Sequence, residues 1–414
     1  MNQAERKLAI STVAGVVFLL ALLVLIRISL RPTAPSVPQE LPANEFVKSV
    51  PRQPLLPDLP ALDEQNTNTL TNVTENVTQT NAAVIYRQAF ALFDALSKEE
   101  KGVLVDWRTN VDASVEAELC EKMRPICDLM HQAAAVTNCD WGIEPLNYDT
   151  PLRHLSPARA IARATIWNAA HCRPNDVPGA SEDVLSTLRL GQSVSHSALV
   201  GSLVDIAIQG VAESYLAANI SLFRGSDAQR LSALLSDPAY EEVPSQVIEQ
   251  EAGVHERLIA KLASLPPDQF ETFLADLIKD NKLEGVSQLD RAAVLAGLQQ
   301  VADSQRTMAR ALASGSIDEY NASMEQNNDL QQTSLMAKAF LPAYDKYLDR
   351  VERGEVNRAL VVAGLAVAEE GPNALPSHLD PATDQPFGYT ETSDGFELQS
   401  GYKTNGIPLK MQFK

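Results

Sequence analysis

Four cysteines, at positions 120, 127, 139 and 172, are the residues best equipped for covalent chemistry in this chain of 414 residues. If Cys120 and Cys127 share one straight helix, their Cα atoms lie about 10.5 Å apart, beyond the reach of a disulfide. That removes one of the three ways of pairing all four. Cys120 with Cys139 and Cys127 with Cys172, or Cys120 with Cys172 and Cys127 with Cys139, remain. Pro125 can bend the helix and relax this exclusion. Reduced, buried cysteines are the competing reading. A zinc site normally shows tighter paired spacing, and His171 beside Cys172 does not supply it.

Glu251 and His255 stand four residues apart, with Glu256 next. Helical spacing puts a carboxylate and an imidazole on one face. The pattern is not the zinc-protease H-E-x-x-H, because Ile259 occupies the second histidine position. A solvent-facing pair is the expectation. His131, His154, His196 and His378 are scattered. No G-x-S-x-G, Walker or G-x-G-x-x-G pattern occurs, so no catalytic, cofactor-binding or metal-ligating residue is assigned. Catalytic triads are set by geometry rather than by sequence position, which keeps an envelope hydrolase as the alternative reading. Trp107, Trp141 and Trp167 are expected in the core. Asp140, Trp141 and Gly142 lie where a helix meets a loop, and loops carry function more often than helix interiors. They are the candidate rim of a groove.

The elements that must position these groups follow from patterning. Leu8–Ile26 is an uncharged apolar run of nineteen residues, long enough as a helix to span about 30 Å of bilayer core. Arg6 and Lys7 precede it and Arg27 and Arg31 follow it. With no good small-x-small cleavage site behind it, the run is predicted to be an uncleaved single-pass anchor, N-terminus in the cytoplasm and bulk outside. Residues 1–30 form the tail and anchor. Residues 31–81 form a spacer: eight prolines between 31 and 60 favour an extended chain, and the Asn/Thr-rich tract that follows has too little apolar surface to fold alone. The anchor makes the membrane one partner.

Residues 82–371 read as a mostly α-helical domain, irregular or tetratricopeptide-like. Ser97 to Glu100 is a capping box. Asp112 is positioned to cap a helix interrupted near Pro125. Ser156 and Pro157 are placed to start a helix over 158–172, and Ser181 one over 181–196. Ala162, Ala169 and Ala180 sit where such a pair packs closely. Breaks are expected near Gly315, Pro342 and Gly354. Residues 372–414 change character. Ser393, Asp394 and Gly395 form a turn between runs carrying Phe387, Tyr389, Phe396 and Leu398, which predicts a β-hairpin, with a further short strand near Leu409–Phe413.

The formal net charge of −19 argues against nucleic acid, because phosphate binding needs concentrated Lys and Arg. An apolar fraction of 45% supports a packed core.

Asn81 to Phe90, Cys139 to Gly142, Thr187 to Gly191 and Leu203 to Gly210 resemble a group of uncharacterised membrane-anchored bacterial proteins with a helical middle and a C-terminal hairpin. The tail from Leu379 to Ser400 is similar to the C-terminal hairpin of the major pseudopilins of type II secretion. The chain departs from that family in two ways. Gly15 lies inside the apolar run with no processing-site Glu behind it, and Gly401–Lys414 holds no acidic residue. The tail is therefore read as a shared packing motif. These observations lead to the expectation of a membrane-tethered, extracytoplasmic interaction or scaffold protein with a protein partner in the bacterial envelope. A component associated with a secretion or pilus apparatus is a further alternative.

Overall fold

The computed structural model describes residues 81–143, 145–148, 150–195, 198–238, 243–281 and 289–414. The anchor Leu8–Ile26, the spacer up to residue 80 and His196 lie outside them. The described chain is mostly helical and closes with a small antiparallel sheet.

Among the described residues, thirteen α-helices run in order: α1 (Ala82–Asp94), α2 (Lys98–Val103), α3 (Ala113–Ala134), α4 (Leu155–His171), α5 (Val177–Ser195), α6 (Leu199–Ala218), α7 (Gly225–Leu235), α8 (Pro244–Ser264), α9 (Pro267–Asn281), α10 (Arg291–Ser314), α11 (Ile317–Thr333), α12 (Leu335–Phe340) and α13 (Tyr344–Glu370). Three hydrophobic cores hold them together. The first helices, α1, α3 and α4, bury Tyr86, Met123, Ile161 and Trp167 with the end of α5. A second core joins α8, α10, α12 and the start of α13 through Leu258, Val301, Met336 and Tyr347. The third lies between α5, α6, α7, the second half of α13 and the sheet, around Leu188, Leu216, Leu360 and Phe413.

Local signals explain many boundaries. At α2, Ser97 Oγ accepts from Glu100 N–H and Glu100 reaches back to Ser97 N–H, completing the capping box. Asp290 and Ser316 cap α10 and α11, and Gly315 closes α10 in the left-handed conformation that glycine adopts without strain. Asn81 is the cap of α1 rather than spacer: its Oδ1 accepts from Ala83 N–H.

Five expectations are corrected. Helix α3 runs unbroken through Pro125, which lies on its exposed face; the carbonyl that Pro125 cannot reach is open to water there. Asp112 occupies the cap position of α3 without a side-chain bond. Helix α4 begins at Leu155, placing Ser156 and Pro157 inside its first turn, and α5 begins at Val177, placing Ser181 in its interior. Helix α13 passes straight through Gly354, where a Cβ would lie 3.9 Å from Ile206 of α6. A glycine costs a helix about 1 kcal/mol, which burial of Tyr347, Val351, Val356 and Leu360 on either side outweighs.

Only α6 among the described residues is long and apolar enough to span a membrane, and most of it is buried inside the protein. It carries Asp205, Gln209 and Glu213 on one buried stripe, which marks it as the central helix of a packed domain. It runs parallel to α13, as Ser202 meets Tyr347 and Ile206 meets Gly354.

The sheet orders its strands β3 (Gly388–Thr392), β4 (Gly395–Thr404) and β5 (Ile407–Phe413), with β1 (Leu379–Asp380) and β2 (Gln385–Pro386) forming a separate two-stranded ladder. Thr392 pairs with Gly395 across the expected turn, and the third strand forms over the expected segment. Alternation along β4 turns Phe396, Leu398, Ser400 and Tyr402 inward. Phe413 is fully buried against Gly364 of α13, where any Cβ would collide with its ring. Lys414 N–H donates to Ala217 O, and Ser221 N–H donates to Lys414 O, so the residue after β5 is stitched onto the end of α6.

Candidate functional site

The cysteines separate into two kinds. Cys120 on α3 and Cys172 at the end of α4 form a disulfide, with Cα atoms 5.5 Å apart. Cys127 and Cys139 are free thiols, so the partner bond between them in that connectivity is not made. Cys127 is wholly buried, and burial together with the Asp183 carboxylate beside it pushes its pKa well up. Cys139 is half-buried and pushed up to about 11, mainly by burial. Neither has the depressed pKa of a nucleophilic thiol. His171 Nε2 lies 2.9 Å from Trp107 O, so that nitrogen carries the proton and donates. Among the described residues, no group of three or more His, Cys, Asp or Glu side chains is placed to hold a metal ion.

The stretch Asp140–Gly142 is a clasp rather than an open rim. Asn81 Nδ2 donates to Asp140 O, and Asp140 N–H returns a bond to Asn81 Oδ1. Trp141 is buried: its indole N–H donates to Ser193 O, and its ring stacks on Phe90, Tyr86 and His154. An indole with its one donor satisfied and apolar rings against its faces belongs in a core. Asp140 and Gly142 are exposed, with Asp140 Oδ1 accepting from Gly142 N–H. His154, against Trp141, is pushed down to about 4 by burial and by Arg87. Trp167 is fully buried and Trp107 half-buried, edge-on to Tyr215.

A first polar knot forms where α3, α4 and α5 meet. Asp183 is wholly buried; its carboxylate lies 2.7 Å from His131 Nε2, accepts from Asn168 Nδ2 and lies 4.0 Å from Arg173 Nε. With Ser181 taken as the start of the helix, Asp183 would lie in its first turn, but α5 begins at Val177 and carries Asp183 in its interior. Asp183 instead faces inward because it answers donors on two neighbouring helices.

The second knot corrects the reading of Glu251 and His255 as a surface pair: both are buried. Glu256 is the member of that stretch that reaches outward, where Arg306 grips it with both terminal nitrogens. Helices α8 and α10 are antiparallel, and α6 starts over their junction. Glu251 Oε1 accepts from Leu199 N–H, capping α6 from a different helix. His255 Nδ1 lies 3.0 Å from Glu251 O and 2.9 Å from Gln305 Oε1. Both are acceptors, so Nδ1 holds the proton. Gln305 Nε2 then donates to Tyr344 Oη. Burial raises the pKa of Glu251, opposed by the Leu199 bond, and lowers that of His255, opposed by its two bonds. Both effects favour neutral side chains in a junction of four helices.

A cleft of about 240 Å³ opens on the outer side of α8, lined by Asn147, Tyr148, Arg257, Leu258, Lys261 and Phe273. Arg257 Nε donates to Leu146 O at 2.8 Å and Nη2 bonds the same oxygen, which holds the 146–148 loop against the helix. Sequence reasoning missed this cleft, because its lining comes from a loop and, more than a hundred residues later, from two consecutive helices.

The geometry defines a mostly helical protein with a C-terminal sheet, polar knots closed in its helix junctions and a small basic-edged cleft on its surface. No protein family, no curated protein and no solved structure matches this chain.

Proposed function

We propose that this chain is a single-pass, membrane-tethered interaction or scaffold protein of the bacterial envelope. Leu8–Ile26 is its anchor, its N-terminus is cytoplasmic and its bulk is extracytoplasmic. The observation that carries the reading is the disulfide between Cys120 and Cys172, since such bonds persist in oxidising compartments and are rare in the cytosol. The Pro-rich stretch behind the anchor supports it, giving a folded domain the reach to meet another envelope component. The antiparallel α4–α5 pair, with Ala162, Ala169 and Ala180 buried, supports a tetratricopeptide-like unit within an irregular array. The interaction reading is preferred over a hydrolase because Glu251, His255 and Glu213, whose protonation burial shifts, are enclosed in helix junctions.

Two measurements test this. In intact spheroplasts, externally added protease should remove a C-terminal tag; a tag cleaved only after the inner face is opened overturns the orientation. Crosslinking in membranes followed by purification should recover a specific envelope protein. Recovery of no specific partner counts against the scaffold role.

A further inference from the structure

In a chain of formal net charge −19, the outer face of α6 carries no charge. The helix has no Lys or Arg, and its two acids, Asp205 and Glu213, are buried. Ala207 and Gly210 are exposed, with Leu203, Ile206 and Val211 half-buried beside them. Gly210 has no internal reason to be glycine. A Cβ there would meet no atom within 4 Å, and its backbone is not left-handed. Glycine weakens a helix interior, and its use at such a point is to let another backbone come close.

The parallel helix α13 supplies the second wall. Leu199 and Leu203 face Ala343, Lys346, Tyr347 and Arg350 across a crevice, and Ile206 against Gly354 continues the line. The crevice holds about 20 Å³, far below the roughly 300–1,000 Å³ that enclose a small ligand. It is a surface track, and from Leu199 to Gly210 it runs about 16 Å, or three helical turns. Charge is sorted along it. Among the described residues, the Lys346 and Arg350 side chains make no hydrogen bond or ion pair. The acids of the same stretch turn elsewhere: Asp349 accepts from Tyr402 Oη, and the charges of Asp345 and Glu352 act on Tyr320 of α11. The track is thus apolar along its floor and positive along one edge.

We infer that this track receives an acidic amphipathic helix of another protein. Its apolar residues pack on Leu203 and Ile206, its backbone passes close over Gly210, and its carboxylates meet Lys346 and Arg350. An apolar helix face laid in a groove is a recurrent mode of recognition, and complementary charge at the rim sets partner choice and encounter rate. A lipid surface fits less well, because helices that lie in the interface present large apolar side chains and the exposed positions here are Ala207 and Gly210. The net charge of −19 opposes a second copy of this chain. The inference rests on the interaction role proposed above and names the chemistry of the partner.

The test uses the full chain in phosphatidylcholine nanodiscs, with empty discs as the blank, and three labelled peptides of about 18 residues, long enough to form a helix. The first has leucines at helical spacing flanked by glutamates. The second has lysines in place of the glutamates. The third has the composition of the first, reordered so that its leucines share no face. By fluorescence anisotropy the first should bind at least tenfold tighter than the other two. Gly210→Leu should weaken it about tenfold without lowering the thermal unfolding midpoint. Lys346→Glu with Arg350→Glu should transfer the preference to the lysine peptide. Equal binding of the three peptides, or a Gly210→Leu chain that binds as before or unfolds earlier, overturns the inference. Displacement of the peptide by phosphatidylglycerol vesicles, or a self-association that Gly210→Leu abolishes, also overturns it, in favour of lipid or of a second copy. The crosslinking experiment reads the scaffold role separately: an envelope protein captured equally by the natural and Gly210→Leu chains refutes the track assignment alone.

Discussion

Two of the regions that bury a carboxyl group, the C-terminal sheet and the seam between α6 and α13, treat it in opposite ways. In the C-terminal sheet, Asp380 is 1% exposed, and its two oxygens accept from Ser400 Oγ, Thr383 Oγ1, Gly401 N–H and Ala382 N–H. On the seam between α6 and α13, Glu213 is 3% exposed and its Oε1 has no hydrogen-bond partner. Burial pushes the Glu213 pKa up to about 8, opposed by Arg358 and aided by Asp205. The same degree of burial thus yields an organising centre in one place and a neutral acid in the other. The deciding quantity is the number of donors aimed at the group. Asp380 does structural work with its bonds. Between Gln399 and Lys403 the register of β4 on β5 slips, and Asp380 holds the irregular residues from the side. Gly401 is needed there because a Cβ would meet Thr383 at 2.3 Å. Asp183 belongs with Asp380, and Glu251, with one backbone N–H to answer it, belongs nearer Glu213.

This contrast can be broken from either side. The largest effect is expected at Asp183. Asp183→Ala leaves His131 and Asn168 without their shared acceptor and removes the negative charge beside Arg173, and should lower unfolding stability by about 4 kcal/mol, read as a fall in the midpoint of urea unfolding. Asp380→Ala strands two hydroxyls and two backbone N–H groups and should cost about 3 kcal/mol. The loss should come with faster amide hydrogen exchange at Gly401 and Ala382, while exchange in α3 and α4 stays as it was.

Glu213→Gln should act through pH. The unfolded side chain ionises near 4.3 and the folded one near 8. Between those values the folded protein holds a proton that the unfolded chain has released. Its contribution to stability is therefore fully present below about 4.3, and it is lost as pH rises, by roughly 1 kcal/mol per pH unit up to the folded value. Denaturation series from pH 5 to 8 should show this slope in the natural chain and a reduction by that amount in the variant. An unchanged slope would mean that Glu213 ionises normally in the fold. The smallest effect is expected at Glu251→Gln, which keeps an acceptor for Leu199 N–H and should change stability at neutral pH by less than about 1 kcal/mol.

The C-terminal sheet was the more legible region and the helix junctions the less. The Ser393–Gly395 turn and the alternation of Phe396 and Leu398 are local signals, and the strands pair where those residues direct them. The capping box at Ser97 is equally local and forms as written. Glu251 and His255 show the limit of such reading. Their spacing placed them on one helix face, but nothing within 250–260 says that the face meets α6, Gln305 and Tyr344. Trp141 shows it again: a loop position pointed to a rim, while its stacking partners lie some fifty residues before it and thirteen after.

Sequence alone determined the helical character of the described domain, the strand-forming tail and most element ends, because caps, turns and hydrophobic period act over three or four residues. Tertiary structure alone decided that α3 continues through Pro125 and α13 through Gly354, that Cys120 joins Cys172 while Cys127 and Cys139 remain thiols, and which acids are answered by donors. Each of these depends on what a distant segment brings to within a few ångströms. Burial in a packed core can outweigh a local penalty of about 1 kcal/mol, so the outcome is set by contacts between segments rather than by the residue in question.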